Sequence, residues 1–460
     1  VGEALVILNS LPGANGVIYL DFDGETVEGT QWNSSYNGGD PIIAAASPFN
    51  AAQIEEIWMG VSEDYRPFNV NITTDRAVFD ATPVNRRMMV IVTPSNEWYG
   101  SSGGVAYVDV FGSSSFDAPA WVFSDRLANS PKYCAEAASH EAGHTLGLRH
   151  DGTSTQGYYE GHGSGATSWA PIMGVGYYST VTQWSRGEYP DADRTEDDLA
   201  IISKTYNGLG YRDDDHGGGT GSSTPMTETG PGQIASVGVI ETNTDVDVFS
   251  FQTSGGAVDL WVDNFDYDPN LDVRMRLLNG SGSELMVSDP EASLDASISA
   301  SLSAGTYYVE VTGVGTGDLV TGYGDYGSLG EDYVTGTVPL DLELAAEITS
   351  PAESQVAVAE GTGLILESFV SVGSASWEVV SAPSGGSATF SDPLADTTEV
   401  VFSQPGTYLL RLKGTWDTEE VTDDLEVSVD PLGAPSGFPV QVAGIDLGGD
   451  RDVYSDRLLL

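Results

Sequence analysis

The sequence predicts a multidomain protein, an α/β domain followed by two β-sandwich domains. Up to residue 212, strand-like runs are interleaved with segments of helical period. Residues 213–226 form an acidic Gly/Ser stretch, and from residue 227 short alternating strands recur every 8 to 12 residues or so. A chain of 460 residues is long enough for several cores of this kind.

Gly16 to Asp23 reads as a buried strand ending at a Gly turn, with Asp21 and Asp23 as its polar end rather than a calcium site. Asn50 opens a helix with Gln53 as its capping-box partner, and Ile54, Ile57, Trp58, Val61 and Tyr65 share one apolar face. Trp58 is expected in the core. Three or four further strands follow, at Phe68 to Thr74, Met88 to Thr93, Val105 to Phe111 and Ala120 to Ser124. They lead into a helix starting near Ser130-Pro131, where proline suits the first turn.

That helix carries HEAGHTLGLRH, residues 140–150. Residues four apart share a helix face, so His140 and His144 can point at one metal ion with Glu141 beside it. Gly147 suits a left-handed helix stop, which would bring His150 back as a third nitrogen ligand. Three imidazoles suit one catalytic Zn²⁺ and leave a position for water, whose proton Glu141 would take as general base. Three of the five histidines in the chain fall in this pattern, which a surface helix that merely carries histidines does not explain.

The motif resembles the HExxHxxGxxH signature of the metzincin zinc endopeptidases, of adamalysin/reprolysin-like or matrixin-like secreted bacterial type, with Asp151 similar to the first of these branches. Pro171-Ile172-Met173-Gly174 is similar to their Met-containing turn. The resemblance implies His140, His144 and His150 as zinc ligands, Glu141 as base and Met173 as the Met-turn residue. It also implies a mixed five-stranded sheet with an antiparallel edge at Gly103 to Phe111. That edge would hold extended peptide through main-chain hydrogen bonds, making Gly104, Val105 and Tyr107 candidate substrate contacts. Where some branches place a functional tyrosine two residues after the methionine, this chain has Val175. Tyr177 and Tyr178 do not inherit that role and are candidate substrate contacts only. The specificity pocket is expected from the loop around Trp169 to Trp184.

His162 reads as polar surface, a substrate contact or a spare metal ligand. Thr195 and Asp198 form a further capping-box pattern ahead of Leu199, Ile202 and Tyr206, a helix that would close a domain spanning 1–212. Residues 213–226 read as a flexible linker in which nothing orders His216. The 227–345 segment resembles the bacterial pre-peptidase C-terminal domain in TDVDVFSF, LSAGTYYVEV and DYGSLG. Its Asp263, Asp266 and Asp268 are calcium ligands or solvated loop acids. Residues 346–430 resemble immunoglobulin-like or polycystic-kidney-disease (PKD)-like sandwiches, with Trp377 in the core. Residues 431–460 are a tail.

A net charge of −51, from 68 acidic and 17 basic residues, argues against nucleic acid and anionic membrane as partners and supplies oxygen ligands for structural Ca²⁺. No apolar run reaches membrane-spanning length. Cys134, the single cysteine, is expected to be a small buried hydrophobe. The first residues lack a signal-peptide pattern, so a mature exported form is expected. The expectation is thus a secreted, monomeric zinc endopeptidase acting on protein or peptide. The alternatives are a cell-surface or adhesive protein with an inert metzincin-like domain, and a zinc hydrolase restricted to a special substrate such as glycosylated protein.

Overall fold

The computed structural model describes residues 6–113, 118–204, 207–265, 267–340, 345–371, 373–416 and 419–431. It is multidomain and strand-rich, and divides into two compact units, 1–340 and 341–460.

The first part of unit one begins with β1 (Gly16–Asp21) and the small antiparallel pair β2 (Thr26–Val27) and β3 (Ile42–Ile43), joined through α1 (Gln31–Tyr36). Then come α2 (Ala51–Asp64), β4 (Val70–Thr73), α3 (Arg76–Ala81), β5 (Arg87–Thr93), β6 (Gly104–Val105), β7 (Ala120–Phe123) and α4 (Pro131–Leu146). A parallel pair, β8 (Trp169–Pro171) and β9 (Val181–Gln183), and α5 (Asp198–Ile202) follow. The main sheet has the order β4-β1-β5-β7-β6, parallel except for the edge strand β6. β1 is buried along its whole length, so its sequence reads as a nearly continuous apolar run rather than alternation; β4 is buried throughout as well, with Asn71 and Thr73 as buried polar members. The Asn50–Gln53 capping box starts α2 as expected, and Ile54, Ile57, Val61 and Tyr65 are buried. Trp58 is half-buried against the same core, its indole donating to Ile72 O at 2.8 Å.

Two expectations for this part are corrected. The strand expected over Val105 to Phe111 stops at Val105. Beyond it, the amides of Asp109, Val110 and Phe111 donate to His144 O and Thr145 O (2.9, 2.8 and 2.8 Å), satisfying carbonyls that the end of α4 leaves open. Asp197, not Thr195, caps α5, accepting from Ala200 N at 2.9 Å; Tyr206 lies outside the described residues.

The second part of unit one is a two-sheet sandwich of β10 (Thr224–Pro225), β11 (Thr227–Gly230), β12 (Gln233–Ile240), β13 (Asp247–Thr253), β14 (Gly256–Asn264), β15 (Val273–Leu278), β16 (Glu284–Ser288), β17 (Ala296–Leu302), β18 (Gly305–Gly313) and β19 (Gly330–Thr337). The sheets run β10-β13-β18-β15-β16 and β11-β12-β19-β14-β17. Polar anchors tie this sandwich to the α/β part. Asn270 donates to Asp64 Oδ1 at 3.0 Å, Arg66 pairs with Glu331 at 3.2 Å, and the Tyr326 hydroxyl donates to Asp197 Oδ1 at 2.7 Å while accepting from Leu199 N at 3.0 Å. Lys132 pairs with Asp268; Asp263 is exposed and Asp266 lies outside the described residues. The 213–226 stretch is not free either, since His216 hydrogen-bonds Thr224 Oγ1 (2.7 Å) and Val237 O (2.8 Å) and packs on Phe249.

Unit two is a sandwich of β20 (Ala346–Ser350), β21 (Gln355–Ala359), β22 (Leu364–Val370), β23 (Ser374–Ser381), β24 (Ala388–Phe390), β25 (Thr397–Phe402), β26 (Gly406–Trp416) and β27 (Glu419–Asp430). Its sheets run β20-β22-β25-β24 and β21-β27-β26-β23 around a core that includes Trp377, as expected. Residues 432–460, nearly all of the expected tail, lie outside the described residues. Among the described residues no helix is long and apolar enough to cross a membrane.

Candidate metal centre

The site is built on α4. Ser130 caps its start, Pro131 takes the first turn, and Gly147 ends it with φ +116°, a conformation that disfavours any side chain. The helix is almost wholly buried because small residues, among them Ala135, Ala137, Ala138 and Ala142, let it lie close to its neighbours; Cys134 is buried with them, as expected.

The turn at Gly147 brings His150 back to the helix face that holds His140 and His144. One ring nitrogen from each of the three lies within 4.8 Å of the others. His140 Nδ1 hydrogen-bonds Ile172 O and His144 Nδ1 hydrogen-bonds Leu148 O, both at 2.9 Å. These carbonyls fix the ring orientations and leave Nε2 for a ligand. His144 Nε2 and His150 Nε2 stand 2.9 Å apart. Burial, with help from the neighbouring histidines, holds His140 well below the usual range and lowers His150 to about 4; burial also lowers His144. Neutral imidazoles are the form that ligates, so the donor set fits one Zn²⁺ with room for a further ligand.

Glu141 is 7% exposed, and its Oε2 has no hydrogen-bond partner. Burial pushes its carboxyl up to about 8. It abuts the edge strand, since a Cβ on Gly104 would lie 2.6 Å from Glu141 Oε1. Gly104 and Val105 therefore sit beside the base and, among the described residues, pair with Val122 and Trp121 on one side only. Met173 is fully buried beneath the helix, where a Cβ on Gly143 would come within 2.9 Å of its sulfur. Asp151 N donates to Met173 O at 2.8 Å, linking the third histidine to the Met-containing turn.

Several residues sit elsewhere than expected. Tyr107 leaves the strand and packs on Trp32 (ring centroids 4.0 Å apart) in an aromatic group with Tyr36, Trp98 and Tyr99. Tyr177 is half-buried against Tyr133, while Tyr178 is 78% exposed. Trp169 and Trp184 are core residues, bonded to Gln183 Oε1 and Asp64 O (2.8 and 2.6 Å), so the pocket loop is framed rather than lined by them. His162 is bound to Tyr159 and to Gly322 O of the sandwich (2.8 and 2.6 Å), apart from the triad. Sequence reasoning missed Tyr158, whose ring lies 4.2 Å from that of His150; its only sequence signal is a tyrosine pair in a Gly-rich loop.

No family model matches the sequence, and no curated protein matches it. Solved structures that resemble parts of it are β-sandwich modules. The PKD domain of human KIAA0319 is 15% identical, covering 20% of this chain and 87% of its own, with a TM-score of 0.18. The pre-peptidase C-terminal domain of a Bacillus anthracis collagenase is 13% identical, covering 27% and 98%, with a TM-score of 0.18. Fibronectin(III)-like modules of Clostridium thermocellum CbhA are 14% identical, covering 49% and 96%, with a TM-score of 0.17. At these scores the likenesses carry no functional argument.

Proposed function

We propose that the chain is a secreted zinc endopeptidase of metzincin type. The observation that carries this reading is the convergence of three neutral imidazoles with an unpartnered buried glutamate, directly beside a one-sided sheet edge. A zinc ion bound there would supply Lewis acidity, polarising the scissile carbonyl and lowering the pKa of the attacking water. The free side of β6 aligns an extended peptide by main-chain hydrogen bonds, as strand addition does elsewhere. Glu141 accepts the proton from the water as it attacks the carbonyl carbon, then delivers it to the amine as the C–N bond breaks. Ile172 O and Leu148 O hold two of the imidazoles in their ligating tautomer throughout.

The second reading is a cell-surface or adhesive protein whose metzincin-like domain is inert. Cleavage of casein separates the two. The endopeptidase reading expects activity in the wild type, loss in Glu141→Ala and after metal stripping, and recovery on adding zinc. A wild type that holds one zinc per chain and cuts neither casein nor glycosylated protein would leave the adhesive reading standing.

A further inference from the structure

The first sandwich carries an exposed aromatic strip on one of its faces. Trp261 on β14, Tyr333 on β19 and Val237 on β12 are 40%, 45% and 49% exposed. Tyr333 stands opposite Val237 on one side and Asp263 on the other, and Trp261 stands opposite Thr335 and Ser297. Alternation along β19 puts Tyr333 and Thr335 on one face, so Trp261 and Tyr333 are diagonal neighbours on the solvent side, while Leu260, Val262 and Val334 fill the core. Thr335 and Ser297 are too short to cover the indole. The strip runs into a cavity of about 380 Å³ whose apolar walls are Met59 of α2, Phe265 and Tyr333, and whose polar rim is Asp263, Asp295 and Glu331. Apolar groups exposed together in this way mark an interaction surface rather than scattered surface residues.

The charge around the strip has one sign. None of the five strands of this sheet, β11-β12-β19-β14-β17, contains a lysine or arginine. The residues two before and two after Trp261, which share its face, are Asp259 and Asp263. The cavity wall already shows which group suits it. The Arg66 guanidinium lies over the Phe265 ring, 5.2 Å from its centroid, and pairs with Glu331 and Glu63. Carboxylates only accept hydrogen bonds, so a ligand that satisfies them brings donors. Lysine and arginine bring donors, positive charge and an apolar stem that lies along aromatic faces. A neutral sugar could stack on the same rings but would leave the charge of these acids unanswered.

We infer that this face of the first sandwich is a docking site for a basic, extended segment of a protein partner. One lysine or arginine sits in the cavity against Phe265 and Tyr333, and another lies over Trp261 between Asp259 and Asp263. The site shares no residue with the histidine triad, and its test reads binding rather than cleavage.

The test is fluorescence anisotropy of a labelled oligolysine peptide titrated with the full-length, zinc-loaded chain at physiological ionic strength, where attraction between distant exposed charges is largely screened. Wild type is expected to bind it saturably and not to bind a matched oligoserine peptide. Replacing both aromatics, Trp261→Ala with Tyr333→Ala, leaves the net charge unchanged and so separates this surface from the general attraction of an acidic protein. The double variant should bind about tenfold more weakly. Both side chains are exposed, so their truncation leaves the core packing in place. Equal affinity in wild type and double variant, absence of saturable binding, equal binding of the serine peptide, or binding of cellohexaose in place of the basic peptide would each overturn the inference.

Discussion

At the residue scale the proposed chemistry depends on Glu141, and the isosteric change Glu141→Gln isolates it. Removing a general base typically costs 10²- to 10⁴-fold in rate. The expected result is a loss of about that size in kcat on casein, with zinc content and melting temperature unchanged. Gly147 makes a second, independent claim. Its φ of +116° and the nearby Lys204 Nζ, 2.9 Å from where a Cβ would stand, leave no comfortable side chain. Gly147→Ala should cost about 1–2 kcal/mol and shift His150, so stability in urea and zinc affinity in a chelator competition should fall together. If only stability falls, the turn does not position the ligand. The ligands and base were legible because helical spacing dictates who shares a face. Tyr158 was not, since its approach to His150 depends on a loop path that no periodicity encodes.

At the element scale α4 is held by buried acids as well as by alanines. Asp64, at the end of α2, and Glu136, on α4, are both buried. Burial raises both carboxyls, Glu136 to about 7 against the pull of Lys132, and Asp64 well above its usual range with Glu136 adding to the rise; Glu63 is likewise raised to about 7. A carboxyl whose folded pKa exceeds its unfolded value near 4 binds its proton more tightly when folded. Its stabilising contribution is complete below about pH 4 and is lost as pH rises through 7. The zinc-loaded chain should therefore melt at a lower temperature at pH 8 than at pH 5.5, and Asp64→Asn should flatten that slope. A slope unchanged in the variant would remove Asp64 from the account. None of these acids stands out in sequence, because burial by a partner element is invisible there. The same blindness explains the overlong strand expected at Val105 to Phe111. Its alternation is real, but the open carbonyls at the end of α4 claim the amides of Asp109 to Phe111.

At the scale of the whole molecule, strand spacing and composition made the change from an α/β part to strand-rich sandwiches legible, yet the acidic Gly/Ser stretch suggested a break inside what is one compact unit, 1–340. Composition reports what a segment cannot bury by itself, and His216 is ordered by Val237 and Phe249 from outside it. The α/β part leans on the sandwich through groups that would otherwise be stranded. Without residues beyond 212, the buried Asp64 loses Asn270 and the amide of buried Leu199 loses the Tyr326 hydroxyl. A buried polar group left unpaired costs about 1–3 kcal/mol, and two such losses are a large share of the stability of a domain. A fragment ending at residue 340 should therefore fold cooperatively and cut casein like the full chain, whereas one ending at 212 should be recovered aggregated or molten. Cooperative melting of the 1–212 fragment would mean that the pre-peptidase-like sandwich is an attachment. Its failure beside an active 1–340 fragment would make the sandwich a structural part of the catalytic unit, placed there because the zinc helix and its neighbours cannot satisfy their own buried groups.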